Sequence, residues 1–284
     1  MGRKPDFLII GAMKAGTTSL HDYMGKHPDI FTTTPKEIHF FTENTFEATK
    51  MEEYYHHFYS DKKVVGASPQ NYTKAHRSEF SGVPQRLAKY CPDIKLIYLV
   101  RDPIKRIISH FNEAQEGGYA PEEGLNASLR NNPSHHYIKT SMYYEQIGQY
   151  LPYFNKSQLL VVSLEELKDN RLSCLNEIFT FLGVKRMIDD TAFDYKLNQG
   201  TTKRTRNNWN AVLSSIWKII PKSLVLQNLK TEIKKRSWFN NLTTDEIKKE
   251  TLSEEVTALL KKELKEDVSK LREYTGKMFD VWSL

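Results

Sequence analysis

Four consecutive apolar residues, Phe7-Leu8-Ile9-Ile10, run straight into Gly11-Ala12-Met13-Lys14-Ala15-Gly16-Thr17-Thr18-Ser19. So short a wholly apolar run, closed by glycine, predicts a strand buried on both faces of a parallel sheet. A helix over 17–26 follows, with Leu20, Tyr23 and Met24 at helical spacing, and His27-Pro28-Asp29 ends it. The rhythm repeats. Strands are predicted at 64–66, 95–100 and 159–163, and helices at 76–90, 104–116, 143–154, 174–182 and 254–272. Strands alternating with helices specify an α/β fold, a central, mainly parallel sheet flanked by helices.

Composition narrows the classes. The chain has 284 residues, 39% hydrophobic and 12% aromatic, enough to build a core and too many for a disordered chain. We expect a single domain over 1–284. Cys91 and Cys174 are too few for a disulfide scaffold and stand in no metal-ligand spacing; no metal is expected. The four-residue apolar run is shorter than the roughly 7–15 of a signal peptide or the roughly 20 of a membrane helix. The expectation is a soluble, cytoplasmic protein with no transmembrane segment. A net charge of +6 suits an anionic ligand as well as nucleic acid. No basic motif interleaved with aromatics is present, so no nucleic-acid partner is expected.

Two stretches break the alternation. Residues 117–136, rich in Gly, Pro and Asn, predict a long loop, a candidate for contacting substrate. Residues 203–250, expected to be mostly helical, carry nine Lys and Arg between Lys203 and Arg236 with Glu232 as the sole acid. They form either a solvated face or a binding surface. The helix over 254–272 shows Val256, Leu260, Leu264, Val268 and Leu271 as an apolar stripe, the pattern of packing.

The chemistry-bearing residues cluster in three motifs. A glycine-bounded loop that opens a helix aims backbone N–H groups and the helix dipole at an anion, and Thr17, Thr18 and Ser19 add hydroxyls. Gly11 and Gly16 keep the spacing of a nucleotide-binding G-x-x-x-x-G-K-[ST] loop, but Thr17 replaces its lysine and Lys14 lies inside the loop. No Lys-Ser/Thr pair is set to hold Mg²⁺ at a β/γ-phosphate. The second motif is Tyr98-Leu99-Val100-Arg101-Asp102-Pro103. Asp102 suits a helix N-cap and Pro103 the first helical position. Arg101 thus leaves the carboxyl end of a strand, where open α/β sheets bind ligands; with Ser109 on the polar side of the helix it suits a lone phosphate monoester. The third is Lys36-Glu37-Ile38-His39-Phe40-Phe41. If it is extended, as an edge strand would be, Glu37 and His39 share one face, and a carboxylate beside an imidazole can act as a general base.

Together these motifs resemble the sulfotransferases that use 3′-phosphoadenosine 5′-phosphosulfate (PAPS), and among them the heparan-sulfate-type branch. The matching residues run from Pro5 through Ser19, then His27-Pro28-Asp29, Lys36 through Phe41, and Tyr98 through Pro103 with Ser109. Gly66-Ala67-Ser68-Pro69, Tyr143, the strand over 159–163, and Asn198-x-Gly200 with Lys203-Arg204 extend the likeness. The resemblance implies the P-loop-like sulfotransferase fold. It implies that Lys14, Ala15, Gly16, Thr17, Thr18 and Ser19 hold the 5′-phosphosulfate, and Arg101 and Ser109 the 3′-phosphate. Gly200, Lys203 and Arg204 would close over the nucleotide. Glu37 would take the acceptor's proton beside His39, with Lys14 stabilising the leaving phosphate without a metal. Two departures concern the acceptor. Some relatives carry an acid after the two phenylalanines, where this chain has Thr42, and others a lysine in the element matched by Ala67-Ser68-Pro69.

Phe41, Ser68, Tyr72 and Tyr143 are candidate acceptor contacts, with core packing the alternative for the phenylalanine. A saccharide hydroxyl or amine is the leading acceptor; a small-molecule natural product or lipid head group is the runner-up. Two other classes make different predictions. A kinase on this scaffold requires Mg²⁺ and ATP. A non-catalytic binder of anionic polymers gives salt-dependent binding indifferent to Glu37.

Overall fold

The computed structural model describes residues 2–132, 134–189, 191–193 and 250–284, together with the backbone of 204–206 and 244–246. In chain order the strands are β1 (Phe7–Gly11), β2 (Ile30–Thr32), β3 (Val64–Ala67), β4 (Lys95–Val100), β5 (Leu159–Ser163), β6 (Arg204–Arg206) and β7 (Thr244–Glu246). The α-helices are α1 (Thr17–Gly25), α2 (Met51–His56), α3 (Val83–Tyr90), α4 (Pro103–Gly117), α5 (Gly124–Asn131), α6 (His136–Ser141), α7 (Tyr143–Gly148), α8 (Leu164–Asp169), α9 (Arg171–Leu182) and α10 (Glu254–Thr275).

Five strands form one sheet in the order β2-β3-β1-β4-β5, every neighbouring pair parallel. The expected α/β architecture is therefore present. Phe7, Leu8, Ile9 and Ile10 are fully buried, as a central parallel strand covered on both faces requires. Each such side chain contributes about 1.5–3 kcal/mol of burial. Because all five strands run the same way, the segments leaving their carboxyl ends emerge at one edge of the sheet. The loop after β1 (12–16), the segment after β2 (33–41), the segment after β3 (68–75) and Arg101 after β4 therefore converge. A second apolar cluster, built from α4, α5, α6 and α10, contains Ile107, Phe111, Leu125, Tyr137, Leu260 and Leu264.

Several boundaries differ from expectation. The stretch 117–136 is not one long loop: α5 occupies Gly124–Asn131 and buries Leu125 and Leu129 against α10. The helix expected over 76–90 begins only at Val83, and the one expected over 143–154 stops at Gly148. Within 203–250, expected to be mostly helical, β6 and β7 pair antiparallel, and β6 lies alongside α4. The remainder of that basic segment to 249, with Lys203 and Gly200, lies outside the described residues. The packing helix at 254–275 is present, its stripe Val256, Leu260, Leu264, Val268 and Leu271 buried.

Candidate active site

The loop after β1 is shaped by its glycines and held from below. A Cβ on Gly11 would run into Thr73 Oγ1 and Tyr98, so only glycine lets the strand turn here. Gly16 takes φ 95° as the N-cap of α1 and supplies no capping side chain. The first amides of α1 are orphaned by helix geometry and face the loop, a setting that favours an anion. Lys14 sits at φ 67°. Its carbonyl accepts from Arg101 Nη1 at 3.2 Å, and its ammonium lies 3.1 Å from Glu113 Oε1 on α4. Arg106, wholly buried, donates to the Met13 carbonyl at 3.3 Å, the Tyr137 carbonyl at 2.6 Å and Ser141 Oγ at 2.5 Å.

Opposite Glu113, on the β2–β3 side of the loop, stands the carboxylate of Glu37. Gln70 Nε2 donates to its Oε1 at 2.7 Å, Lys36 Nζ lies 3.0 Å from the same oxygen, and His39 Nε2 is 3.1 Å from Oε2. Burial pushes the Glu37 carboxyl up, but the hydrogen bonds from His39 and Lys36 outweigh it and hold it below the ordinary carboxylate range. The anticipated Glu37–His39 pair therefore forms, though not on an edge strand: the sheet's β2 ends at Thr32, and residues 37–39 join no ladder. Tertiary bonds hold the segment instead. Ser68 N donates to the Lys36 carbonyl at 2.9 Å. Tyr72 Oη donates to the Ile38 carbonyl at 3.0 Å and accepts from Phe41 N at 2.9 Å.

Two side chains link this carboxylate to the loop. Thr17 Oγ1 donates to Gln70 Oε1 at 2.9 Å, while Gln70 Nε2 holds Glu37. Lys36 Nζ lies 3.2 Å from Thr18 Oγ1 and 3.4 Å from Thr17 Oγ1 while it pairs with Glu37. Lys36 and Gln70 were given no role from sequence; the signal for Lys36 is its adjacency to Glu37, and for Gln70 there is none. Arg106 and Glu113 were likewise missed.

Arg101 and Ser109 flank the start of α4, both half-buried. Asp102 is the N-cap as expected, its Oδ1 accepting from Ile104 N at 2.9 Å and Lys105 N at 3.2 Å, with Pro103 at N1. Arg204 lies in β6, and only its backbone is described. Among the four candidate acceptor contacts, Phe41 packs in the core, the alternative reading for it. Phe41, Ser68, Tyr72 and Tyr143 are all buried and support the site from within. Ser68 Oγ bonds His21 Nδ1 at 2.7 Å, Tyr143 Oη donates to the Arg101 carbonyl at 2.7 Å, and Phe41 stacks on Phe46. Among the described residues no cluster of His, Cys, Asp and Glu could hold a metal ion, and no helix is long and apolar enough to cross a membrane.

The family profile described as sulfotransferase domain matches residues 4–271. Bifunctional heparan sulfate N-deacetylase/N-sulfotransferase 4 of Mus musculus is 26% identical over 202 residues, 63% of this chain and 22% of its own length. Heparan sulfate glucosamine 3-O-sulfotransferase 3B1 of Mus musculus is 28% identical over 204 residues, 69% of this chain and 50% of its own. The chain thus spans half or less of the length of these two relatives. Among solved structures, a sulfotransferase from Alicyclobacillus acidocaldarius matches with a TM-score of 0.66 at 19% identity, covering 99% of this chain and 100% of that one, a likeness of fold.

Proposed function

The chain belongs to the sulfotransferase-domain family, and from that premise we propose that it transfers the sulfuryl group of PAPS to a hydroxyl or amino group of a saccharide. The observation that carries this reading is the double link between a carboxylate and an anion-binding loop: Glu37 reaches Thr17 through Gln70, and Thr17 and Thr18 through Lys36. A base so close to the loop stands beside whatever group the loop presents. A saccharide acceptor is supported by the heparan sulfate named for both relatives.

The residues suit the donor's two charged ends. Lys14, Ala15 and Gly16, with Thr17, Thr18 and Ser19 in the first turn of α1, offer amides, hydroxyls and a cation to the phosphosulfate. Arg101 and Ser109 offer a guanidinium and a hydroxyl to the 3′-phosphate. In the reaction the acceptor oxygen or nitrogen forms its bond to sulfur and gives its proton to Glu37. The bond from sulfur to the bridging oxygen breaks, and its electron pair stays on the departing phosphate. Charge builds up there, where Lys14 and the N-terminus of α1 stabilise it. The proposal includes a cytoplasmic location.

The test is incubation of purified protein with labelled PAPS and a panel of saccharide, amine and small-molecule acceptors. Release of 3′,5′-ADP with label on a saccharide, without added Mg²⁺, is the expected result. Glu37→Gln and Lys14→Ala are expected to be folded and nearly inactive. A strict requirement for ATP and Mg²⁺ would overturn the proposal.

A further inference from the structure

Building on the sulfuryl-transfer reading, we propose that Lys36 is a catalytic residue that binds the sulfuryl oxygens while the group passes from donor to acceptor. Its position carries the argument. The Lys36 ammonium stands between the two halves of the site, 3.2 Å from Thr18 Oγ1 and 3.4 Å from Thr17 Oγ1 on the donor side, and 3.0 Å from Glu37 Oε1 on the acceptor side. A group moving from the loop toward an acceptor held at Glu37 moves past this ammonium. The Lys14 ammonium is turned the other way, to Glu113 on α4. The two lysines therefore divide the work: Lys14 attends the leaving oxygen and Lys36 the transferring group.

The side chain is built for this position. It is 19% exposed, and its backbone carbonyl is fixed to the end of β3 by Ser68 N at 2.9 Å. An ammonium has three N–H donors and no acceptor. They are directed at two hydroxyls and one carboxylate; the hydroxyls can give way to sulfuryl oxygens while Glu37 keeps its partner. A preorganised donor aimed at a group in flight is worth about 10²–10³ in rate. Lys36 keeps its proton throughout: the acceptor's proton goes to Glu37, the new bond forms at sulfur, and the electron pair of the broken bond goes to the phosphate oxygen.

The competing role for Lys36 is a positioning one, holding Glu37 ionised and in place, and two measurements separate the roles. The first is calorimetric binding of PAPS and of 3′,5′-ADP, which lacks the sulfuryl group, to wild type, Lys36→Met and Lys36→Arg. Lys36→Met is expected to bind 3′,5′-ADP within about twofold of wild type and PAPS about tenfold or more weaker, about 1.4 kcal/mol. The second is the pH profile of kcat. Loss of about 10²–10³ in the plateau value, persisting above the acid limb, is expected for Lys36→Met, with partial recovery in Lys36→Arg. Equal loss for both nucleotides, or a kcat that recovers fully at higher pH, would overturn the assignment and leave Lys36 as a support for Glu37. Should Lys36→Met fold poorly, Lys36→Arg and Lys36→Gln carry the same comparison. Wild-type protein that binds neither nucleotide would overturn the sulfuryl-transfer reading itself, and this inference with it.

Discussion

The Lys14 ammonium and the Glu113 carboxylate, 99 residues apart in the chain, meet at 3.1 Å and join the loop after β1 to the last third of α4. Glu113 Oε2 is buried and has no hydrogen-bond partner among the described residues. On the proposed reading, a donor phosphate at Lys14 would compete with this carboxylate. A partly exposed pair is worth about 0.2–1 kcal/mol. Glu113→Gln is therefore expected to bind 3′,5′-ADP up to about fivefold more tightly, read by calorimetry. Weaker binding would instead make Glu113 the group that holds Lys14 in position. Lys14→Ala is expected to lose about 10²–10³ in kcat at nearly unchanged thermal stability.

If Glu37 is the base, as proposed, its ionised form is the active one, so activity is present above its folded pKa and falls as pH drops through it. Burial alone would raise that pKa; the hydrogen bonds from His39 and Lys36 more than reverse the effect. The acid limb of kcat/KM is therefore expected below the ordinary carboxylate range. His39→Ala removes the first of these lowering contributions, and its acid limb is expected to move toward higher pH while the plateau survives. A limb that stays in place in His39→Ala would separate the imidazole from the ionisation of Glu37.

The parts of this site legible in the sequence are those set by neighbours along the chain. The loop from Gly11 to Gly16, and the cap and first turn at Asp102-Pro103, follow from backbone geometry that a few adjacent residues dictate, and both are where the sequence puts them. The segment 36–41 shows the limit. Its composition reads as an edge strand, but Tyr72 and Ser68, more than 30 residues away, supply the bonds that a ladder would have supplied. Phe41, Tyr72 and Tyr143 suit sugar rings by type, with core packing the alternative for Phe41; their burial is decided by packing that no local pattern records. Gly117, Gly118 and Gly124 made 117–136 look like a loop, while Leu125 and Leu129 have a partner in α10, over 120 residues on.

Lys74 gives a stability prediction of the opposite sign to a stabilising ion pair. Its ammonium is buried 2.9 Å from Met13 Sδ. Burial, and then the charges of Arg106 and Arg77, pull its pKa from 10.5 down to about 8. Between these two values the unfolded chain holds a proton that the folded chain has released, so stability rises with pH across that window. Below it the ammonium destabilises the fold by on the order of 3 kcal/mol. Lys74→Met is expected to be the more stable protein at pH 7, with an advantage that shrinks toward pH 10. Urea unfolding of both proteins across that range is the measurement, and parallel curves would refute the prediction.

The segment 276–284 returns to the start of α4 and holds Arg101 from behind. Ser283 donates to Asp102 Oδ2 from its amide at 2.9 Å and from its hydroxyl at 2.6 Å. Trp282 Nε1 donates to Glu165 Oε2 at 3.2 Å, and Glu165 Oε1 accepts from Asp102 N at 3.2 Å. The Trp282 ring lies against Tyr143 at 5.8 Å, and Tyr143 Oη holds the Arg101 carbonyl. Residues 101 and 102 are thus fixed by partners up to 181 positions away. Ser283→Ala removes one hydroxyl bond to a buried carboxylate and is expected to cost about 1.5–3 kcal/mol of stability. If Arg101 grips a 3′-phosphate, the variant should also bind 3′,5′-ADP more weakly while 5′-AMP, which has no 3′-phosphate, binds as before; Ser283→Thr should restore both properties. Equal effects on the two nucleotides would show that the segment stabilises α4 without orienting Arg101.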